Sequence, residues 1–163
     1  MIIYKDFNQE LHDCKDKILS LADELEPVKI KANSPSKKWL EYENGRCLGY
    51  NITDNTFVRD LLSSYYNNID KILILDIIGI VDLHKDDMIY QKHILKFKLT
   101  GNWNQFYTTD KDNTYYFDNN YNVIGFDNID VSHGVNFTER FSILFVKGNL
   151  KNNIISSFES IDQ

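Results

Sequence analysis

The sequence predicts an α+β fold: an antiparallel β-sheet arranged as a meander, two to three covering helices, and one domain spanning residues 1–163. Three observations carry this. Apolar residues recur at helical spacing near the N-terminus. They then alternate, or run almost unbroken, through several later stretches. Clusters of Asn, Asp and Gly separate those stretches every 8 to 12 positions in the second half. No strand–helix–strand rhythm of a parallel sheet is visible.

Phe7, Leu11, Cys14, Ile18, Leu21 and Leu25 recur every three to four residues. They place one apolar stripe on an amphipathic helix over 8–26, with Asp6 or Asn8 as N-cap. Pro27 ends it, because the residue before a proline leaves the helical region. A short strand is predicted over Val28–Ala32, then a loop over Asn33–Ser36. Trp39–Glu43 and Arg46–Ile52 flank Asn44-Gly45, whose tolerance of positive φ suits a two-residue hairpin turn. Asp54 is placed to cap a second helix reaching Tyr66, with Phe57, Val58, Leu61, Leu62 and Tyr65 on one side.

Ile72–Leu83 is nearly continuous in β-branched residues and reads as a buried central strand. A turn at His84–Asp87 would connect it as a hairpin to Met88–Leu99, which sets Ile94, Lys96 and Lys98 on one face and Leu95, Phe97 and Leu99 on the other. Beyond Gly101-Asn102, Trp103–Thr108, Thr114–Phe117 and Tyr121–Phe126 are short strands of a meander. Ser132-His133-Gly134 is read as a loop before a strand at Phe141–Lys147. Leu150, Ile154, Ile155, Phe158 and Ile161 give a short C-terminal helix.

Composition narrows the class. The chain has 18 Asn and 19 Ile, and 15 Lys against 3 Arg, the usage of an AT-rich coding sequence, so an Asn cluster is not by itself a site. The net charge of −6 opposes binding to nucleic-acid phosphates or anionic lipid and favours a basic partner. Cys14 and Cys47 match no metal or redox spacing and are expected to pack as small hydrophobes. The N-terminus lacks a secretory pattern, and the longest apolar run, Ile72–Val81, is too short to span a bilayer, so a cytoplasmic protein is expected.

Residues 102–130 stand out, with eight aromatics, five aspartates and the single cation Lys111. Asp110, Asp112, Thr114 and Asp118 fall at positions 1, 3, 5 and 9 of an EF-hand count, but Tyr115 stands where Gly is needed and Tyr121 where the bidentate Glu belongs. The calcium reading fails. Aspartates around the aromatics also argue against base stacking, which needs cations there. No nucleophile elbow, reactive-cysteine context or phosphate-binding glycine loop is present. His84, Asp86, Asp87 and His93 are locally dense in metal-ligand types, the basis of a metal-assisted hydrolase alternative. Metal chemistry needs three converging ligands, and their spacing does not establish convergence. The expectation is therefore no catalysis, no cofactor and no metal.

An acidic surface with Tyr anchors suits protein–protein docking, because aromatics give contact area at small entropic cost and charge steers encounter. In its size, acidity, N-terminus without a signal pattern and absence of a catalytic motif, the chain resembles the bacterial immunity proteins of polymorphic toxins, including contact-dependent growth inhibition systems. That resemblance covers the chain in this general sense, with no motif matched residue by residue. It implies a cytoplasmic protein that binds and neutralises one cognate toxin, here a basic one such as a nuclease. The residues expected to face that partner are Asp110, Asp112, Tyr115, Tyr116, Asp118, Tyr121, Asp127 and Asp130. A small-molecule-binding or structural β-rich domain is the other alternative.

Overall fold

The computed structural model of the chain describes residues 1–28, 39–42, 45–86, 91–111 and 113–161, with residues 39–42 described by their backbone. The expected strand at Val28–Ala32 beyond its first residue, the loop at Asn33–Ser36, Asn44 of the hairpin turn, and Asp87 and Asp112 lie outside those residues.

The fold is α+β, and its strands are antiparallel throughout. In chain order the elements are β1 (Ile2–Asp6), α1 (Gln9–Ser20), β2 (Trp39–Tyr42), β3 (Gly45–Asn51), α2 (Thr56–Leu62), β4 (Tyr66–His84), β5 (His93–Thr100), β6 (Phe106–Thr109), β7 (Thr114–Tyr116), β8 (Val123–Asp127), β9 (Ser132–Leu150), α3 (Asn152–Ile155) and β10 (Glu159–Ser160). Sheet order is β10-β1-β8-β5-β9-β4-β3-β2, and β6 adds to β9 and carries β7 on its far side.

The N-terminal helix forms where its stripe predicts, and Asn8 caps it by accepting a hydrogen bond from the Leu11 N–H at 2.9 Å. It tightens into a 3-10 turn over Leu21–Glu24 before Pro27. In α2 the cap is Asn55, one residue beyond the Asp54 expected, accepting from the Val58 N–H at 3.0 Å. The β2–β3 hairpin is present, with Tyr42 opposite Gly45.

Long-range pairing departs from the local reading in three places. β4 and β5 do not form a hairpin; β9 lies between them and pairs with both. β7 does not continue to β8, which pairs instead with β1 and β5. The Ser132-His133-Gly134 segment is no loop but the start of the 19-residue β9. In each case the partner strand is far away in sequence, where neither turn chemistry nor periodicity reports on it.

β4 and β9 run together as the spine of the sheet. Register shifts at Ile77/Gly79, Gly79/Val81 and Val81/His84 bend it, and Gly79 supplies the left-handed backbone there at φ 85°. The bend lets the first residues of β9 pair with β6 while Ser142–Phe145 pair with β5. Both faces are covered. Leu11, Ile18, Val58, Leu62 and Ile154 of the three helices pack on Ile72, Ile74, Phe97 and Leu144 on one side. On the other, Trp103, Phe106, Phe117, Phe126 and Phe141 pack on Leu73, Leu75 and Ile143. Two covered faces explain why β4 reads as an unbroken apolar run.

Candidate functional site

The acidic aromatic stretch is distributed over three turns. Asp110 opens the β6–β7 turn, where its carboxylate accepts from the Asn113 N–H at 3.1 Å. Asp118 is exposed and accepts from the Asn120 N–H at 2.8 Å, a turn-closing bond. Asp130 is exposed in the turn after β8. Asp118 precedes β8 and Asp130 follows it, so the two lie in turns at opposite ends of that strand, whose own ends are about 14 Å apart at ordinary strand rise.

The aromatics divide as well. Tyr115 sets its ring edge-on against buried Phe117 at 5.0 Å, and Tyr121 lies under the Lys5 ammonium at 5.2 Å. Tyr116 is 46% exposed, and its hydroxyl accepts from the Asn136 side-chain amide at 3.2 Å. Asp127 corrects the sequence reading: it is buried, accepts from the Ile129 N–H at 2.9 Å and closes the turn, so it presents no surface to a partner.

What gathers around β9 is a set of residues from four strands, β4, β6, β7 and β9 itself. Tyr107 of β6 crosses Gly134 of β9, where an added Cβ would meet the Tyr107 hydroxyl at 2.7 Å. Its ring lies 6.3 Å from that of Tyr116. Burial raises the Tyr107 pKa, with Tyr116 and Asp82 adding to the rise. Beside Asn136, Phe137 is 67% exposed in an irregular part of β9. Thr109 pairs with Ser132, so Asp110 and Asp130 flank the start of β9, and Phe137 lies five residues further along that strand; the Asp110 carboxylate is also 3.8 Å from the N-terminal ammonium. Asp82 and Phe137 were not singled out as surface residues in the sequence, since only the pairing of β9 with β4 and β6 brings them here.

Next to this set lies a second set of polar residues, in which Lys96, Asn128 and His133 are buried and His84 and Asp86 partly so. Asp86, just past β4, is fixed by reciprocal bonds with buried Asn128: the Asp86 N–H donates to Asn128 Oδ1 at 3.1 Å, and Asn128 Nδ2 donates to the Asp86 carbonyl at 3.0 Å. Lys96 of β5, only 2% exposed, brings its ammonium to Asp86 Oδ2 at 2.6 Å. His133 Nε2 lies 3.3 Å and His84 Nε2 3.7 Å from Asp86 Oδ1. The two imidazoles face each other with centroids 4.3 Å apart, and Phe106 and Phe126 wall in His133 at 5.6 and 5.2 Å.

Burial alone would raise the Asp86 pKa; the Lys96 ammonium, helped by His133 and His84, holds it well below the usual carboxylate range. Burial pushes His133 down to about 4 against the pull of Asp86, while Lys96 and His84 push the same way as burial. At neutral pH His133 is therefore uncharged, with its Nε2–H toward Asp86. Its Nδ1 is buried and has no hydrogen-bond partner among the described residues.

Of the four residues whose density suggested a metal site, His84 and Asp86 come together. His93 does not: its ring stands edge-on to Phe158 at 4.7 Å, and its strand partner is Asp127. His133 and Lys96 replace it. His133 was hidden by its Gly134 neighbour, which reads as loop. Lys96 was already on one face with Ile94, but alternation cannot show that this face is covered.

Two surface depressions of about 800 and 550 Å³ lie elsewhere, the first against Asn51–Asn55 and the second between α1 and the 119–122 turn. No helix among the described residues is long and apolar enough to cross a membrane. Comparison with protein-family models and with curated proteins gives no match.

Proposed function

We propose that this chain is an immunity-type protein that binds a cognate basic toxin in the cytoplasm, a nuclease being the class whose electropositive cleft best suits it, and blocks it sterically and electrostatically. The observation carrying this reading is that Phe137 and Tyr116 stand exposed on the β7–β6–β9 part of the sheet, with exposed Asp82 on β4 and exposed Asp130 in the turn that leads into β9. Large aromatics on a surface rimmed by carboxylates supply the two parts of such an interface: anchors that desolvate on docking, and charges that steer a cationic partner. An inhibitor needs no chemistry of its own. It needs a rigid platform, and β9 is held on both edges by β4, β5 and β6.

The docking residues are narrower than the sequence implied. Asp110, Asp130 and Tyr116 remain; Tyr107, Asn136, Phe137 and Asp82 join them; Asp118 and Tyr121 sit at the far end of β8, and Asp127 is buried. Co-expression with any basic toxin domain found encoded beside its gene tests this directly. The chain is expected to co-purify with the toxin domain and protect cells from it. Failure to bind or protect against any neighbouring toxin would remove the proposal.

A further inference from the structure

We propose that His84, Asp86 and His133 form a binding site for a divalent cation of the zinc(II) class. One ligand atom from each lies within 4.8 Å of the other two. Around a tetrahedral zinc, bonds of about 2.0–2.2 Å put neighbouring N and O ligands roughly 3.4 Å apart. The 3.3 Å between Asp86 Oδ1 and His133 Nε2 and the 3.7 Å between Asp86 Oδ1 and His84 Nε2 match that edge closely.

The orientation of each ligand is set from outside the set. His84 Nδ1 stands 2.7 Å from the Asp82 carbonyl, a contact that only an N–H can make, so Nδ1 carries a proton and Nε2 is turned to Asp86. A backbone carbonyl on the distal nitrogen is the usual support of a metal-bound histidine. Asn128 fixes the Asp86 backbone, and Lys96 occupies Oδ2, leaving Oδ1 as the single carboxylate ligand. His133 is held between Phe106 and Phe126. When its Nε2 takes the cation, the one N–H moves to Nδ1 and the ring stays neutral, although Nδ1 is buried and finds no acceptor among the described residues, which costs the site affinity.

Lys96 is the feature that opposes a cation, since its ammonium is already on the same carboxylate. It neutralises Asp86 through Oδ2, so the site is weaker than a His₂Asp set without a neighbouring ammonium, and soft nitrogen donors, not charge, select the ion. Two imidazoles and one carboxylate suit zinc(II) or cobalt(II) and not calcium or magnesium, which prefer oxygen. Three protein ligands leave a fourth position, and His84, with its side chain 30% exposed, lies on the route to it. This site is independent of the docking surface beside it and stands or falls alone.

Chelator-treated protein titrated with zinc sulfate, and with cobalt(II) followed by visible absorption, tests the site. One ion per chain is expected, with the intense cobalt bands of a tetrahedral N/O set. His84→Gln alters a partly exposed side chain and should weaken binding at least tenfold; His133→Gln should do the same if that variant folds. His12→Gln and His93→Gln should change nothing. The proposal is overturned if the wild-type chain takes up no stoichiometric ion, or if His84→Gln binds as tightly as wild type.

Discussion

Two neighbouring regions use the same kinds of side chain to opposite ends. Around β9, carboxylates and aromatics of Asp82, Tyr116, Asp130 and Phe137 face outward. Beside them, an ammonium and two imidazoles gather about the Asp86 carboxylate, and two phenyl rings enclose one of those imidazoles, His133. An exposed aspartate costs almost nothing to keep charged and contributes little to stability. The buried one must be neutralised and hydrogen-bonded to be there at all. The difference teaches which residues can be changed to probe function and which report on the fold.

The largest effect should follow from breaking the buried set. Asp86→Ala leaves the Lys96 ammonium enclosed without its counter-charge, and a loss of about 3–5 kcal/mol of stability is expected in denaturant unfolding. Asp86→Ala combined with Lys96→Met should be less damaging than Asp86→Ala alone, since the orphaned charge is gone. An additive double variant would mean that the pair is not coupled.

Acid should separate the regions next. The His133 pKa is depressed in the native state to about 4, from about 6.5 when unfolded, so the unfolded chain binds the extra proton first. Stability from this group is full above pH 6.5 and falls by about 3 kcal/mol as pH drops to 4. Asp86 is held charged across that window and contributes its own loss only at lower pH. Thermal melts between pH 7 and 4 should show the decline, and His133→Gln should flatten it. A wild-type stability that stays level over this range would contradict the buried neutral histidine.

Surface changes come last in stability and first in binding. Phe137→Ala and Tyr116→Ala should leave unfolding within about 0.5 kcal/mol of wild type while weakening toxin binding by about 2 kcal/mol or more if they are anchors. Asp130→Lys should slow association and reduce its sensitivity to salt, whereas Asp118→Lys, at the other end of β8, should change association much less. Equal effects of the two reversals would spread the interface over the whole acidic stretch.

Much of the secondary structure was legible because it is locally specified. The stripe from Phe7 to Leu25, the Asn-Gly hairpin and the apolar run of β4 each carry their own signal. The site was legible only in part. His84 and Asp86 sit two residues apart and could be flagged together, but His133 reaches them through a strand inserted between β4 and β5. Lys96 shares its face with Ile94 and Lys98, and alternation does not show that Asp86 and Phe145 enclose its ammonium. Asp127 looks like another turn aspartate, yet its bond to the Ile129 N–H lies beneath the surface. Such facts belong to strand order, which sequence periodicity does not encode.

Whether the sheet surface bearing Tyr116 and Phe137 docks a basic toxin is decided by a binding titration. Wild-type and Phe137→Ala/Tyr116→Ala chains would each be titrated against a basic toxin domain that the wild-type chain co-purifies with. Wild-type binding should be tight and the double variant at least tenfold weaker, with unchanged melting temperatures. Equal affinity of the two chains would contradict docking through this surface.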